Sequence, residues 1–214
     1  MIVKNMMNRF KTQLLDLVLL LFKQYNIEYC LMCGTLLGCI RDGKFIDWDN
    51  DIDLGVFSDS WYKLKKMEKF CKYYGISMYR HFDGYWGYHY KIKAYNVSID
   101  IFPLHIKKDD KILFQYNWKN MKMFRKMYKH NIVNNKTFRL MRYLRSFLIP
   151  KPMYHILPNK NTYRTIDCLF NDELVKIPFY STKWLEILYG KDWRVPKPDY
   201  KFSDERDKNI KKVK

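Results

Sequence analysis

Two aspartates, Asp51 and Asp53, stand two positions apart at the start of an alternating apolar segment. If residues 51–57 are extended, both carboxylates leave the same face of a strand, because side chains alternate along a strand. Two like charges at that spacing repel each other unless a cation lies between them, and oxygen-only ligands favour Mg²⁺ or Mn²⁺ over zinc. The pair therefore indicates a divalent-metal site suited to metal-assisted phosphoryl chemistry.

A glycine-containing segment stands just before this pair. Residues 27–33 are predicted to form a strand that ends at Gly34, and residues 35–40 then begin a helix. This geometry places backbone N–H groups at a helix N-terminus, where unpaired donors and the helix dipole favour a phosphate. The residues assigned to this phosphate site are Gly34, Thr35, Gly38 and Arg41.

Hydrophobic periodicity predicts the elements that must position these residues. Residues 88–95 and 97–104 read as two strands joined by a short turn at Asn96. The second strand carries Asp100, which joins the aspartate pair if this hairpin lies beside the 51–57 strand. The other predicted elements are helices at about 5–25, 60–74, 113–129, 137–148 and 182–189, and strands at 27–33, 76–81 and 174–177.

The length of 214 residues is enough for one filled core, and we predict a single domain over residues 1–214. Its core spans about 5–105 and is completed by a closing segment at 174–198. Between about 110 and 160 the chain turns to long basic stretches, which we interpret as a helical accessory segment that ends in a loop to residue 161.

Composition narrows the classes of protein to consider. A hydrophobic content of 48% with 18% aromatic residues excludes global disorder. The net charge of +18, from 40 Lys and Arg against 22 Asp and Glu, predicts attraction to polyanions such as nucleotides, nucleic acid, anionic glycans or acidic lipid headgroups. The sign of the charge alone does not choose among them.

The cysteines and the first apolar run bear on the compartment. Five irregularly spaced cysteines argue against a disulfide framework and for a reducing compartment. The apolar run at residues 14–22 is interrupted by Asp16, and it is shorter than the roughly 20 residues that span a bilayer. We therefore predict a soluble cytoplasmic protein that associates with an anionic membrane at most peripherally.

Two motifs together resemble the LicD and fukutin-related family of phosphotransferases. They are G-T-L-L-G-x-x-R, which begins at Gly34, and W-D-x-D-I-D, which begins at Trp48. The likeness extends to residues 98–102, where such enzymes place a third acidic strand residue. Residues 177–178 and 188–196 are similar to the closing segment of that family.

The resemblance implies an α/β (α+β) fold of the nucleotidyltransferase type, a mixed β-sheet flanked by helices and related to the polymerase-β catalytic core. It also implies a reaction in which a phospho-alcohol, such as phosphocholine or ribitol phosphate, moves from a CDP-linked alcohol donor to a glycan hydroxyl with release of CMP. The expected partners are then a CDP-alcohol and a glycan or glycopolymer acceptor, and no specific nucleic acid.

Within that chemistry, Asp51, Asp53 and Asp100 are assigned as the catalytic residues and as ligands of a Mg²⁺ or Mn²⁺ that bridges the diphosphate. Asp100 either completes the metal shell or accepts the proton of the acceptor hydroxyl. An ordinary carboxyl pKa of about 4 is too low for a base unless burial or neighbours raise it. Arg41 is either a fork for two phosphate oxygens or a surface arginine in a turn.

Four further residues are assigned to substrate binding, each with an alternative. Trp48 stacks on cytosine or anchors the core, and Asp49 orients Arg41 or ligates a second ion. Lys91 and Lys93 share one strand face, where they add positive potential to the site or are solvated lysines at a strand edge.

Two departures from the family pattern leave rival functions open. Asp47 stands where the family usually has proline, and Asn50 stands where it has a second aspartate. Asn50 points away from the pair on an extended strand, so activity is expected, although altered metal affinity, another donor or a catalytically inactive relative are alternatives. The rival functions are an NTP-dependent nucleotidyltransferase that releases pyrophosphate and a basic nucleic-acid-binding module.

Overall fold

The computed structural model describes residues 2–83, 87–94, 96–107, 111–116, 153–159 and 164–200. In these parts of the chain the helices are α1 (Ile2–Gln24), α2 (Cys33–Asp42), α3 (Leu64–Tyr73), which follows a 3₁₀ turn at Trp61–Lys63, and α4 (Ser181–Tyr189). The strands are β1 (Tyr29–Leu31), β2 (Asp51–Phe57), β3 (Ser77–Asp83), β4 (Gly87–Ala94), β5 (Val97–Ile106), β6 (Lys111–Tyr116), β7 (Met153–Pro158), β8 (Thr165–Phe170) and β9 (Glu173–Pro178).

Seven of the described strands form one mixed sheet. Its order is β1-β2-β5-β4-β3, with β6 paired to the end of β5 and β7 paired to β6. The β2–β5 pair is parallel and the other pairs are antiparallel. Strands β8 and β9 form a separate antiparallel hairpin. The predicted class, a mixed sheet flanked by helices, is confirmed.

Strands β2 and β5 are covered on both faces, which explains their nearly continuous apolar sequence. Every residue of β2 after Asp51 is buried. Gly55 lies where the sheet packs most tightly, because a Cβ at that position would lie 2.6 Å from Leu104 Cδ1 and 2.8 Å from Met32 Cγ. The neighbouring side chains therefore leave no room for a side chain at position 55 of β2.

Helix α1 packs one apolar face on the core and leaves the other exposed. Its buried side chains recur at helical spacing, whereas Leu20 on the opposite face is 63% exposed. Lys11 is an exception to the pattern, since it is only 1% exposed. Among the described residues, no helix has both the length and the apolar character needed to cross a bilayer. The buried apolar residues of α1 are Leu14, Leu15, Val18, Leu21 and Phe22.

The prediction of a helix from residue 113 is wrong at its beginning. Residues 111–116 are strand β6, and residues 153–158, predicted as part of a loop, are strand β7. Ile112 and Phe114 are buried alternately in β6, but the surrounding basic residues hide this period of two in the sequence. Pairing with residues 104–106 of β5 favours the strand, because it satisfies backbone groups that a helix would leave open. The remainder of the predicted helices at 113–129 and 137–148 lies outside the described residues.

Candidate active site

The three aspartates of the predicted metal site lie together where β2 and β5 run side by side. The parallel register places Asp53 directly opposite Asp100, and Asp51 opposite Ser98. Asp51, Asp53 and Asp100 each offer a carboxylate oxygen, and these oxygens all lie within 4.8 Å of one another. Asp53 and Asp100 are 9% and 7% exposed. The fold therefore gathers three oxygen ligands at one point, as the metal hypothesis requires.

Asp53 is held in an environment that disfavours a negative charge. Burial raises its pKa well above the ordinary value, and the neighbouring charges of Asp51, Asp49 and Asp100 raise it further. The backbone N–H of Gly34 opposes this effect by donating a hydrogen bond of 3.1 Å to Asp53 Oδ2. A cation bound among these carboxylates would relieve the cost of the charge.

Asp100 differs from Asp53 because two basic side chains on β4 face it. Lys91 lies opposite Asp100 in the antiparallel register, with its Nζ 2.8 Å from Oδ1 and 3.0 Å from Oδ2. His89 Nε2 lies 3.6 Å from Oδ1. Burial acts to raise the pKa of Asp100, but the hydrogen bonds and charges of His89 and Lys91 outweigh it and lower the pKa. An anionic Asp100 suits a metal ligand better than a proton acceptor.

The two assigned lysines lie on an interior strand, since β4 pairs with both β3 and β5. Lys91 is partly buried against Asp100, whereas Lys93 is exposed on the same face opposite Ser98. The strand-edge interpretation of these lysines therefore does not apply. Of the two, only Lys91 contacts the aspartate cluster directly.

The loop between α2 and β2 brings a fourth carboxyl group, Asp49, to the cluster. Burial raises its pKa to about 7, and a hydrogen bond and charge interaction with Asp51 act in the same direction. Lys11 lowers it. The Lys11 ammonium donates a hydrogen bond to the backbone carbonyl oxygen of Asp49 and lies 5.1 Å from the centre of the Phe45 ring. Helix α1 thus reaches the site through one buried lysine.

The glycine segment supports the aspartates from behind. Thr35 is 2% exposed, and its hydroxyl accepts a hydrogen bond of 2.8 Å from the Asp53 N–H. Gly34 has the closest approach in the site, because a Cβ there would lie 2.3 Å from Asp49 Oδ2. A Cβ at Gly38 would lie 2.6 Å from the Lys44 carbonyl oxygen, so this glycine permits contact with the following loop. Gly34, Thr35 and Gly38 therefore position the site aspartates and the backbone of the loop that follows α2.

Arg41 and Trp48 both line the cleft around the carboxylates. The Arg41 guanidinium donates two hydrogen bonds to Asp42, of 2.9 Å from Nε and 2.7 Å from Nη2. This paired contact fixes the orientation of the guanidinium group. Trp48 is 45% exposed, so it does not anchor the core and leaves ring surface open for a stacking partner.

The cleft has a volume of about 240 Å³, and its second wall comes from the far end of the chain. This wall begins with the end of α4 and continues through the coil that follows it. Its aromatic residues give the cleft apolar surface in addition to the carboxylates. The wall residues are Tyr189, Trp193, Val195, Lys197 and Tyr200, and the rest of the lining is Cys33, Gly34, Leu37, Arg41, Ile46, Trp48, Asp49, Asp51, Asp53, Asp100 and Phe102.

Several residues in or beside the cleft were not assigned to the site from the sequence. Lys11 gave no local signal, because a lysine in an amphipathic helix is ordinary, and the sequence left open whether the His89 ring stacks on a base or packs in the core. Tyr189 and Trp193 belong to the closing segment whose likeness to the family was recognised, and their position in that motif could have identified them. No spacing rule connects them with aspartates more than 80 residues away.

The environment of Asp49 makes a prediction about pH in the metal-free protein. Its pKa is about 7 in the folded state against an ordinary 3.8, so between these values the folded state keeps a proton that the unfolded state has released. Stability from this group is therefore fully present below pH 3.8 and is lost as the pH rises through about 7. In urea unfolding with EDTA, Asp49→Asn should gain stability relative to wild type across this window. A difference that stays constant with pH would contradict the prediction.

Comparison with known proteins identifies relatives in sequence. A family model described as LicD/FKTN/FKRP, nucleotidyltransferase domain, matches residues 26–150. The lipopolysaccharide cholinephosphotransferase LicD of Haemophilus influenzae is 42% identical over 51 residues, which cover 24% of this chain. The match spans 19% of the length of that relative.

Two solved structures resemble the protein at low sequence identity. The lincosamide antibiotic adenylyltransferase LnuA, bound to lincomycin, has a TM-score of 0.44 and 14% identity, and the alignment covers 80% of this chain and 82% of LnuA. The antibiotic-resistance factor ANT(2'')-Ia has a TM-score of 0.47 and 12% identity, with coverage of 94% and 81%.

The family model extends over more than half of the chain and includes the glycine segment, the aspartate pair and Asp100. It also names the kind of domain that the resemblance implied, and the mixed sheet with its acidic β2–β5 pair agrees with it. The nucleotidyltransferase-like fold is confirmed, and the chain belongs to the LicD/FKTN/FKRP nucleotidyltransferase-domain family.

Proposed function

We propose that this protein is a metal-dependent phosphotransferase that moves a phospho-alcohol, of the phosphocholine or ribitol phosphate type, from a CDP-alcohol to a glycan hydroxyl and releases CMP. The observation that carries the proposal is the convergence of Asp51, Asp53 and Asp100 at an open cleft in a domain of this family. The sequence similarity to a cholinephosphotransferase over the motif-sized segment supports the choice of donor class.

The residues present fit a hard divalent cation. The three carboxylate oxygens within 4.8 Å of one another form an oxygen-only set, which is the donor chemistry of Mg²⁺ and Mn²⁺. Asp51, Asp53 and Asp100 would hold the ion, and when bound it would neutralise and align a diphosphate. Burial and like-charge repulsion both raise the pKa of Asp53, and they support the same assignment because buried carboxylates this close together are costly without a cation.

The other residues of the cleft suit the two ends of the donor. Arg41 and Lys197 supply positive charge beside the carboxylates, as a diphosphate requires. Trp48 offers an exposed ring on which cytosine can stack. His89 and Lys91 together keep Asp100 anionic, and both act on the reaction through that aspartate.

In the proposed reaction, the acceptor hydroxyl oxygen forms a bond to the distal phosphorus of the donor, and the bond from that phosphorus to the CMP oxygen breaks. The hydroxyl proton passes to Asp49, whose carboxyl group lines the cleft, because the carboxylate of Asp100 is already held by Lys91 and His89. The cleft holds the reactants in line, which supplies most of the advantage in phosphoryl transfer.

Product analysis tests the proposal. The protein is incubated with Mg²⁺, a panel of sugar acceptors and either CDP-choline, CDP-ribitol, CDP-glycerol or one of the four NTPs. We expect CMP from a CDP-alcohol and no pyrophosphate from an NTP. Pyrophosphate without CMP would instead favour the nucleotidyltransferase alternative, which is consistent with the description of the family's domain as a nucleotidyltransferase domain. Asp53→Asn serves as the inactive control in every arm.

A further inference from the structure

A buried lysine lies beside the acidic cleft and has no part in the proposed reaction. Lys11 is 1% exposed and comes from α1, which precedes the residues 26–150 matched by the family model. An ammonium group buried to this degree is costly unless charges or hydrogen bonds compensate it. Burial lowers the pKa of Lys11, and the negative charges of Asp49, Asp51 and Asp53 oppose this effect in part. The Asp49 carbonyl oxygen and the Phe45 ring add contacts to the ammonium group.

The contacts of Lys11 fix the loop that carries Asp49. Phe45 and Ile46 of this loop are buried, and the Asp49 N–H donates a hydrogen bond of 3.1 Å to the Ile46 carbonyl oxygen. The carbonyl oxygen of Asp49 accepts from Lys11, while its carboxylate lies against Gly34. One residue is thus held at both ends, and its carboxylate is directed into the cleft.

The same geometry gives Lys11 an electrostatic role. Its charge is attracted by three carboxylates of the cluster, which is the interaction that a bound cation would also have. Within the described residues that line the cleft, Arg41 and Lys197 are basic, but Lys11 is the more deeply buried charge and acts from behind the aspartates. A fixed positive charge at this position lowers the repulsion among the carboxylates. It also repels a divalent cation that binds among them.

We propose that Lys11 is a positioning residue that serves as a built-in counter-ion of the acidic cleft: it anchors the Asp49 loop and weakens the affinity of the aspartates for a divalent cation. This inference rests on the metal site of the proposed function. It brings α1 into the working site, although α1 lies outside the matched family segment.

Lys11→Met tests this role, because it keeps most of the length and the apolar stem of the side chain and removes the ammonium charge together with its hydrogen bond to the Asp49 carbonyl oxygen. Thermal unfolding is followed in EDTA and in a series of MgCl₂ concentrations. We expect a lower melting temperature in EDTA, a much smaller loss in saturating Mg²⁺, and half-maximal stabilisation at a Mg²⁺ concentration roughly 3- to 10-fold lower than in wild type. The matched control is Leu14→Ala on the same buried face of α1, which should lose equal stability with and without Mg²⁺.

A second variant separates charge from packing. In EDTA, Asp49→Asn removes one of the carboxylates that Lys11 compensates, so Lys11→Met should lower the melting temperature at most about half as much in the Asp49→Asn background as in wild type. If Lys11→Met alone does not fold, the double variant Lys11→Met/Asp49→Asn should fold.

Three outcomes would overturn the inference. They are an unchanged Mg²⁺ midpoint in Lys11→Met, an equal loss in both backgrounds, and failure of the double variant to fold in EDTA and in Mg²⁺. Failure of the proposed function gives a different result. If wild type is not stabilised by Mg²⁺ at all, the metal site and the effect of Lys11 on it are both wrong, whereas an absence of CMP with Mg²⁺ stabilisation intact refutes only the reaction.

Discussion

Asp53→Asn should reduce turnover by roughly 10³-fold or more, since the contribution of a metal to phosphoryl transfer is several kcal/mol. The same variant should be more stable than wild type when no metal is present. The charged form of Asp53 is disfavoured by burial and by three neighbouring carboxylates. The asparagine amide removes that charge and keeps an oxygen to accept from the Gly34 N–H. Function and metal-free stability should therefore change in opposite directions.

The measurements are CMP release and thermal unfolding in EDTA and in MgCl₂. For a domain of this size, each kcal/mol of repulsion removed should raise the melting temperature by about 2–4 °C. Mg²⁺ should stabilise wild type by mass action and have little effect on Asp53→Asn. Asp167→Asn is a suitable control, because Asp167 lies on the β8–β9 hairpin in an exposed pair with Lys176. Equal Mg²⁺ stabilisation of wild type and Asp53→Asn would contradict the metal assignment.

The two glycines of α2 should differ in what an alanine substitution disturbs: Gly38→Ala should lower the stability of the fold, and Gly34→Ala should disturb the site. In Gly38→Ala the new Cβ lies 2.6 Å from the Lys44 carbonyl oxygen and 3.2 Å from the Ile46 N, and backbone at both points cannot move aside cheaply. Overpacking of this kind costs about 1–3 kcal/mol or more, while the better helix propensity of alanine offsets at most about 1 kcal/mol. We expect a net loss of stability, measured by urea unfolding.

In Gly34→Ala the new Cβ lies 2.3 Å from Asp49 Oδ2 and 3.6 Å from Asp53 Oδ2. The group that must move is the end of a side chain in the site, so the fold should survive while Mg²⁺ stabilisation and CMP release fall. Gly38→Ala provides the matched comparison, since its residual activity should scale with its folded fraction. Full Mg²⁺ stabilisation of Gly34→Ala would show that Asp49 can move without disturbing the metal site.

Local patterns in the sequence were enough to predict the elements that carry the site. The bounds of β2, residues 51–57, were predicted from the alternating apolar residues that accompany the two aspartates, and the structure has the same bounds. Strand β5 and helix α4 were predicted to within two residues at each end. These predictions succeed because side-chain periodicity reflects burial on one or both faces of an element, and burial is written into consecutive residues.

Local patterns were insufficient where a decision depended on partners distant in sequence. Strand β6 was predicted as a helix, since the edge of β5 that it completes cannot be seen from its own basic surroundings. Local patterns also did not show that the Thr35 hydroxyl accepts a hydrogen bond from the Asp53 N–H, and the contact of Thr35 with phosphate stays a prediction. In both cases a backbone group elsewhere in the chain needed a hydrogen-bond partner.

By itself, the sequence determined that Asp51 and Asp53 share one strand face, that a glycine segment precedes them and that Asp100 lies on another strand. Only the tertiary structure decided that β2 and β5 pair in parallel with Asp53 opposite Asp100. It also decided that Tyr189 and Trp193 line the same cleft as the aspartates and that Lys11 hydrogen-bonds to the backbone of Asp49. The physical reason is that register and helix docking are selected by the burial of whole faces across many residues, whereas periodicity reports only which face of each element is buried.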